Sequence, residues 1–307
     1  MGKTAFVFAG QGSQSVGMGK DLYENYESVK NLIDFADNRH PGIKELMFQG
    51  PKDKLDITIN TQPAVFLVDL ACVMVLTDKG IKADGAAGFS LGEIPAVCYA
   101  GLMEQLQAFD FVNKRAKLMQ ECSEKNMGCM FAVVKLPASE VEDICRNLGQ
   151  VYPVNYNCPG QTVVACSFDT ADELQKSVTQ AGGKSIKLSV NGAFHSPFMN
   201  DASLKISQYL EMETFGKMRI PVYANVTAEI YDDPKVLLAK QVNHPVLWQK
   251  TVENMKRDGF DTFVEVGPGK TLTGLINKID ADIRTYNVCD VQSLENTEGL
   301  LKNVRCQ

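Results

Sequence analysis

The chain has 307 residues, 45% of them hydrophobic and 22% charged, with a formal net charge of -6 at pH 7. That balance belongs to an ordinary soluble globular protein and excludes disorder; without a long run of Lys or Arg it also argues against nucleic-acid binding, which rests on clustered cations. The nine cysteines are odd in number, scattered and free of any Cys-x-x-Cys, so they spell neither a disulfide framework nor a zinc site and fit a reducing, cytoplasmic setting.

In chain order, the start Met1-Gly2-Lys3-Thr4-Ala5-Phe6-Val7-Phe8 lacks a long apolar signal region and reads as the first buried strand. Gly10-Gln11-Gly12 opens as a dinucleotide loop would, but the third glycine of G-x-G-x-x-G would fall at position 15, which is Ser15, and that reading fails. Residues 64–76 read as a buried helix; interrupted by Asp69, the run is shorter than the roughly 20 residues that span a bilayer, so no membrane is expected.

The apolar, small-residue run 83–87 leads into Gly88-Phe89-Ser90-Leu91-Gly92, followed by a helix predicted over 93–99. This is the pattern of a nucleophile elbow: a tight strand-to-helix turn projects a serine hydroxyl into a cleft, glycines permit the close packing, and free N–H groups at the helix start can hold an oxyanion. Residues 128–188 then change rhythm to strand, helix, strand, strand, helix, strand, the order of a ferredoxin-like insert. The predicted fold is therefore α/β, a large hydrolase-like domain (1–127 and 189–307) with a central, mostly parallel sheet and an inserted ferredoxin-like small subdomain (128–188).

A serine needs a base, and there are three histidines. His40 (Asn38-Arg39-His40-Pro41) and His244 (before Pro245) lie in turn-like segments, whereas His195 sits in Gly192-Ala193-Phe194-His195-Ser196-Pro197, a small-residue loop re-entering the large domain beside the insert. His195 is the base candidate, against the plainer reading of a satisfied core histidine. Arg115, between Lys114 and Lys117, is a fork able to bind a carboxylate through two parallel hydrogen bonds; its plainer reading is a solvated helix-face arginine. Gly267-Pro268-Gly269 reads as a turn shaping the cleft.

Phe8-Ala9-Gly10-Gln11-Gly12-Ser13-Gln14, Gly88-Phe89-Ser90-Leu91-Gly92-Glu93, Arg115, Gly192-Ala193-Phe194-His195-Ser196 and Glu265-Val266-Gly267-Pro268-Gly269, in that order, resemble the malonyl-CoA:acyl carrier protein transacylases of type II fatty acid synthesis over essentially the whole chain. The resemblance implies that malonyl-CoA and acyl carrier protein are the substrates and that no cofactor or metal is needed. It assigns Ser90 as nucleophile, His195 as base, the amides of Gln11 and Leu91 as oxyanion hole, the main-chain carbonyl of Gln241 as the group orienting the histidine, and Arg115 as the malonyl carboxylate clamp. Phe194, otherwise a core aromatic, occupies the position that in related polyketide acyltransferases accompanies malonyl over methylmalonyl selection, a discrimination worth about 1 to 3 kcal/mol per methyl. Phe89 departs from the family, which most often has histidine there.

Two other readings stand beside this one. An α/β hydrolase shares the elbow but runs serine, acid, histidine with the histidine late in the chain, and has an HGGG-type motif not found here. A silent docking protein would not need Ser90, His195 and Arg115 together. Lys184 and Lys187, near the return from the insert, are candidates for meeting an acidic carrier protein, or are plain solvated lysines.

Overall fold

The computed structural model describes residues 2–190 and 192–305; Met1 at the predicted first strand, Asn191 at the head of the loop before His195, and Cys306 and Gln307 lie outside them. The larger sheet has strands β1 (Lys3–Phe8), β2 (Gly85–Gly88), β7 (Val222–Tyr223), β8 (Phe260–Val266) and β9 (Arg284–Val288), ordered β7-β2-β1-β8-β9 with every pairing parallel. Strands of an all-parallel sheet are covered on both faces, which is why β1 reads as the unbroken run Ala5-Phe6-Val7-Phe8, all fully buried. The carboxyl ends of β1 and β2 lie side by side, Phe8 opposite Gly88, where an open α/β sheet places its ligands.

The smaller sheet has β3 (Cys129–Val134), β4 (Val151–Cys158), β5 (Gln161–Cys166) and β6 (Lys184–Lys187), ordered β4-β5-β3-β6 and antiparallel throughout. Its connections carry the helices Ala138–Asn147 and Ala171–Gln180, giving the ferredoxin-like order expected of the insert. Alternation along β3 separates two jobs: Cys129, Phe131 and Val133 pack with Val141, Leu174 and Val178 of those helices, whereas Met130 and Ala132 face the cavity between the two sheets. The smaller sheet is tied to the rest of the fold where β4 meets an isolated bridge at Val246: the Tyr156 N–H donates to the Val246 carbonyl (3.0 Å) and the Val246 N–H to the Val154 carbonyl (2.9 Å).

The buried run at 64–76 is part of a longer helix, Thr58–Asp78, of 21 residues. By length and composition it could cross a bilayer, which corrects the expectation from its shorter apolar core; 83% of its apolar window is buried inside the fold, so it serves as the central core helix. Asp69 lies on it fully buried, and neither carboxylate oxygen has a hydrogen-bond partner among the described residues. Burial, aided by the nearby charge of Glu265, pushes the Asp69 carboxyl well above the usual carboxylate range and so favours its neutral form.

Between its ordinary and its raised pKa the carboxyl is ionised in the unfolded chain and protonated in the folded one, so folding stability falls as pH rises through that window, by at most about 1.4 kcal/mol per unit. Asp69→Asn, which cannot ionise, is expected to shift Tm more favourably at pH 8 than at pH 5. Equal shifts at the two pH values would contradict a neutral Asp69.

Candidate active site

The site begins at the end of β2. Ser90 has φ 52 and opens a single 3-10 turn, Ser90–Gly92, that runs directly into the helix Glu93–Tyr99. Two glycines make the turn sterically feasible: a Cβ at Gly88 would stand 1.9 Å from the Gly92 carbonyl oxygen, and one at Gly92 2.2 Å from that of Phe8. A non-glycine residue in the left-handed region is strained and must be held. Asn225 holds it, its Oδ1 accepting from the Ser90 N–H (2.7 Å) and its Nδ2 donating to the Gly88 carbonyl (2.6 Å).

His195 also has a positive φ (61) and is pinned by its N–H donating to the Val242 carbonyl at 2.9 Å. Its Nε2 lies 2.7 Å from Ser90 Oγ, and its Nδ1 2.8 Å from the carbonyl of Gln241. Gln241 ends the helix Pro234–Gln241, and the last carbonyls of a helix have no acceptor role within it. One of these free carbonyls faces Nδ1 and requires a proton there, leaving the Nε2 lone pair to accept from the serine hydroxyl. Burial, with the Arg115 charge adding to it, pushes the imidazole down to about 4, so the ring is neutral and basic at Nε2.

Arg115 is 1% exposed, which overturns the reading of a solvated helix-face arginine for this position on the helix Gln105–Lys125. Its Nη1 donates to Gln62 Oε1 (2.6 Å) and its Nη2 to Gln241 Oε1 (2.6 Å) and, more distantly, to Ser90 Oγ (3.3 Å). Among the described residues its Nε has no hydrogen-bond partner, and both close acceptors are neutral amides. Desolvation lowers its pKa only to about 10, so a whole positive charge stands beside the serine without a carboxylate in contact. A group acylating Ser90 and ending in a carboxylate would supply the missing partner.

Ser90, Arg115, His195, Gln11 and Phe194 line one cavity of about 420 Å³ between the two sheets. Gly10 brings the loop carrying Gln11 against the elbow, since a Cβ there would be 2.5 Å from the Phe89 carbonyl oxygen. Leu91 is fully buried and keeps its side chain out of the cavity; its amide lies in the first turn after Ser90, where N–H groups lack intrahelical acceptors. Phe89 stacks edge-on against Trp248 (5.6 Å between centroids), filling space where the family most often places a polar ring, and the Trp248 indole N–H has no partner among the described residues.

His40 and His244 bond elsewhere, to Asn113 and to the Lys240 carbonyl, and neither lines the cavity. Gly267-Pro268-Gly269 is a turn with φ 117 and 85 at its glycines, but it does not line the cavity; the helix after it does, through Leu272 and Leu275. Lys184 and Lys187 are exposed on the edge strand β6, an odd number of residues apart and so on opposite faces, with Lys187 Nζ over the Phe168 ring at 5.7 Å. Among the described residues no group of three or more His, Cys, Asp or Glu is placed to hold a metal ion.

Sequence reasoning missed Gln62, Glu93, Asn225 and Tyr231, and with them the cavity-lining Asn155 and Asn157 of β4. Glu93 is fully buried: Oε2 accepts from Gln241 Nε2 (2.6 Å), and Oε1 from the Asn225 N–H (3.1 Å) and the Tyr231 hydroxyl. Burial pushes its carboxyl up to about 7, with those donors and Arg115 pulling it back. In sequence it passes for an ordinary acid in a first helical turn.

A family profile described as "Acyl transferase domain" matches residues 5–294. The chain is 34% identical over 313 residues to a malonyl CoA-acyl carrier protein transacylase of Bacillus subtilis (strain 168), covering 98% of each. Its fold superposes with a TM-score of 0.95 on the crystal structure of the malonyl CoA-acyl carrier protein transacylase from Clostridium perfringens, at 34% identity and covering 99% of this chain and 98% of that one. A malonyl-transacylase solved in complex with its type II PKS acyl-carrier protein is similar at a TM-score of 0.93 and 33% identity, covering 97% of this chain and 99% of that one.

A base held neutral by burial is present above its lowered pKa and lost only as pH falls through it. NMR titration of the His195 imidazole is therefore expected to show no protonation from pH 8 down to pH 5; a midpoint near 6.5, the ordinary value, would contradict the buried geometry.

Proposed function

This chain belongs to the acyl transferase family, among the malonyl CoA-acyl carrier protein transacylases, and from that premise we propose that it moves the malonyl group of malonyl-CoA to the phosphopantetheine thiol of acyl carrier protein through a malonyl-Ser90 intermediate, supplying fatty acid biosynthesis. The observation that carries the reading is the buried guanidinium of Arg115, with no carboxylate in contact among the described residues, within reach of a serine hydroxyl that is already hydrogen-bonded to a neutral histidine.

The reaction is ping-pong. His195 Nε2 takes the Ser90 proton as Oγ attacks the thioester carbonyl, and the amides of Gln11 and Leu91 receive the developing oxyanion. Collapse breaks the C–S bond, and the departing CoA thiolate takes the proton back from His195. The carrier's thiol then gives its proton to His195 and attacks the malonyl-Ser90 ester; Ser90 leaves and is reprotonated by the same imidazole. Through both halves the Gln241 carbonyl keeps Nδ1 protonated and favours the transient imidazolium, the task an acid performs in a triad. Arg115 clamps the malonyl carboxylate, and Phe194 stands in the cavity wall against a methyl branch at the α-carbon. Every step uses groups of the chain itself, so the reading calls on no metal or redox cofactor.

Residues 128–188 serve in this reading as the small subdomain that closes the cleft over 1–127 and 189–307, with a cytoplasmic setting. A hydrolase reading has no observation in its favour.

Arg115→Ala removes two charge-assisted hydrogen bonds that only a carboxylate-bearing acyl group can make. We expect kcat/KM for malonyl-CoA to fall by about a hundredfold or more, and kcat/KM for acetyl-CoA to fall far less. Equal losses for both thioesters would contradict the clamp.

A further inference from the structure

Gln241 is held at both ends. Its main-chain carbonyl accepts from His195 Nδ1, while its side-chain amide sits between Glu93 and Arg115, giving Nε2 to the Glu93 carboxylate and the Ser90 carbonyl and receiving Arg115 Nη2 at Oε1. An amide is nearly symmetric in shape, so only its neighbours decide which end points where. Arg115 demands an acceptor while the Ser90 carbonyl and the Glu93 carboxylate both demand a donor, so the three agree on one orientation, and the bond to Glu93 is the charge-assisted one among those that the NH2 makes.

We propose that Glu93 is a positioning residue for acyl-group selection: by anchoring the Gln241 NH2 with a charge-assisted hydrogen bond, it holds Oε1 in place on Arg115 and so keeps the guanidinium aimed at Ser90. The inference rests on the malonyl-clamp reading of Arg115. The carboxylate is suited to this task because three donors converge on it, from Gln241, Asn225 and Tyr231, while Arg115 provides a nearby positive charge without touching it. With a neutral amide at position 93 the charge-assisted anchor of the Gln241 NH2 is lost, and only the Ser90 carbonyl still holds it firmly. The Gln241 side chain is then less firmly placed, and the guanidinium's hold on one of its two close acceptors, Gln241 Oε1, weakens with it. The same carboxylate reaches the nucleophile by a second route, because it accepts from the N–H of Asn225, whose side chain brackets Ser90.

The test compares wild type, Glu93→Gln, Glu93→Asp and Arg115→Ala as full chains at pH 8, with thermal melts and transfer kinetics for malonyl-CoA and acetyl-CoA. The readout is the ratio of the two kcat/KM values, which a loss of general structural integrity would not move, since it lowers both together. Glu93→Gln is expected to lower the malonyl-to-acetyl ratio by about tenfold or more, the consequence of one lost charged contact. A ratio unchanged in Glu93→Gln but lowered in Arg115→Ala overturns the role of Glu93 and leaves the clamp standing. A ratio unchanged in Arg115→Ala overturns the clamp and this inference with it. Should Glu93→Gln fail to fold, Glu93→Asp carries the test: it keeps the charge but withdraws the carboxylate from the Gln241 amide, so the same fall in ratio is expected, and a wild-type ratio overturns the proposal.

Discussion

A guanidinium buried to 1% exposure beside a serine, with amide oxygens rather than a carboxylate against it, is the constraint around which this site is arranged. Burying a charge costs several kcal/mol unless it is solvated by the protein. Gln62 and Gln241 provide that solvation with neutral dipoles, and Glu93 offsets the charge from one residue further away. A carboxylate in direct contact would have satisfied Arg115 and left it no reason to bind an anionic acyl group. The arrangement stabilises the cation enough to keep it folded inside and leaves it short of a partner.

The same bonds explain how a dyad suffices. Ser90 is strained, His195 is strained, and each is pinned at its own N–H by a distant segment, the Asn225 side chain for one and the Val242 carbonyl for the other. The helix ending at Gln241 presents its free carbonyl to the imidazole, so the tautomer is set by a main-chain dipole. Because Gln241 serves the histidine through its backbone and the arginine through its side chain, the proposed base and the proposed clamp are mechanically one unit. The smaller sheet completes the chamber with the cavity-facing side of β3, β4 and β5, while its other face is occupied by its own two helices.

Much of this was legible in the sequence where the signal is local. The elbow, its two glycines and the helix Glu93–Tyr99 follow from a contiguous motif, and the rhythm of the insert reveals its strand order. Arg115 was legible only through resemblance, because a helix-face arginine between lysines looks solvated until the partner helices are known. Gln62, Asn225 and Tyr231 were not legible at all: each is an isolated polar residue whose partner lies in a different segment, Arg115 for Gln62, Ser90 for Asn225 and Glu93 for Tyr231. The extent of Thr58–Asp78 was underestimated for a related reason, since Thr61 and Gln62 read as polar flank although both are buried. Lys184 and Lys187 stand out in sequence only by their nearness to the return from the insert, and the pleat of β6 turns them to opposite faces.

The central claim is that Ser90 carries the acyl group between two thiols. Intact-protein mass spectrometry after brief exposure to malonyl-CoA, followed by addition of phosphopantetheinylated acyl carrier protein, tests it most directly, with Ser90→Ala in parallel. The account predicts a single malonyl adduct on the wild-type chain, none on Ser90→Ala, and transfer of that adduct to the carrier. An adduct that forms without Ser90, or one that is lost only to water when the carrier is present, would contradict it.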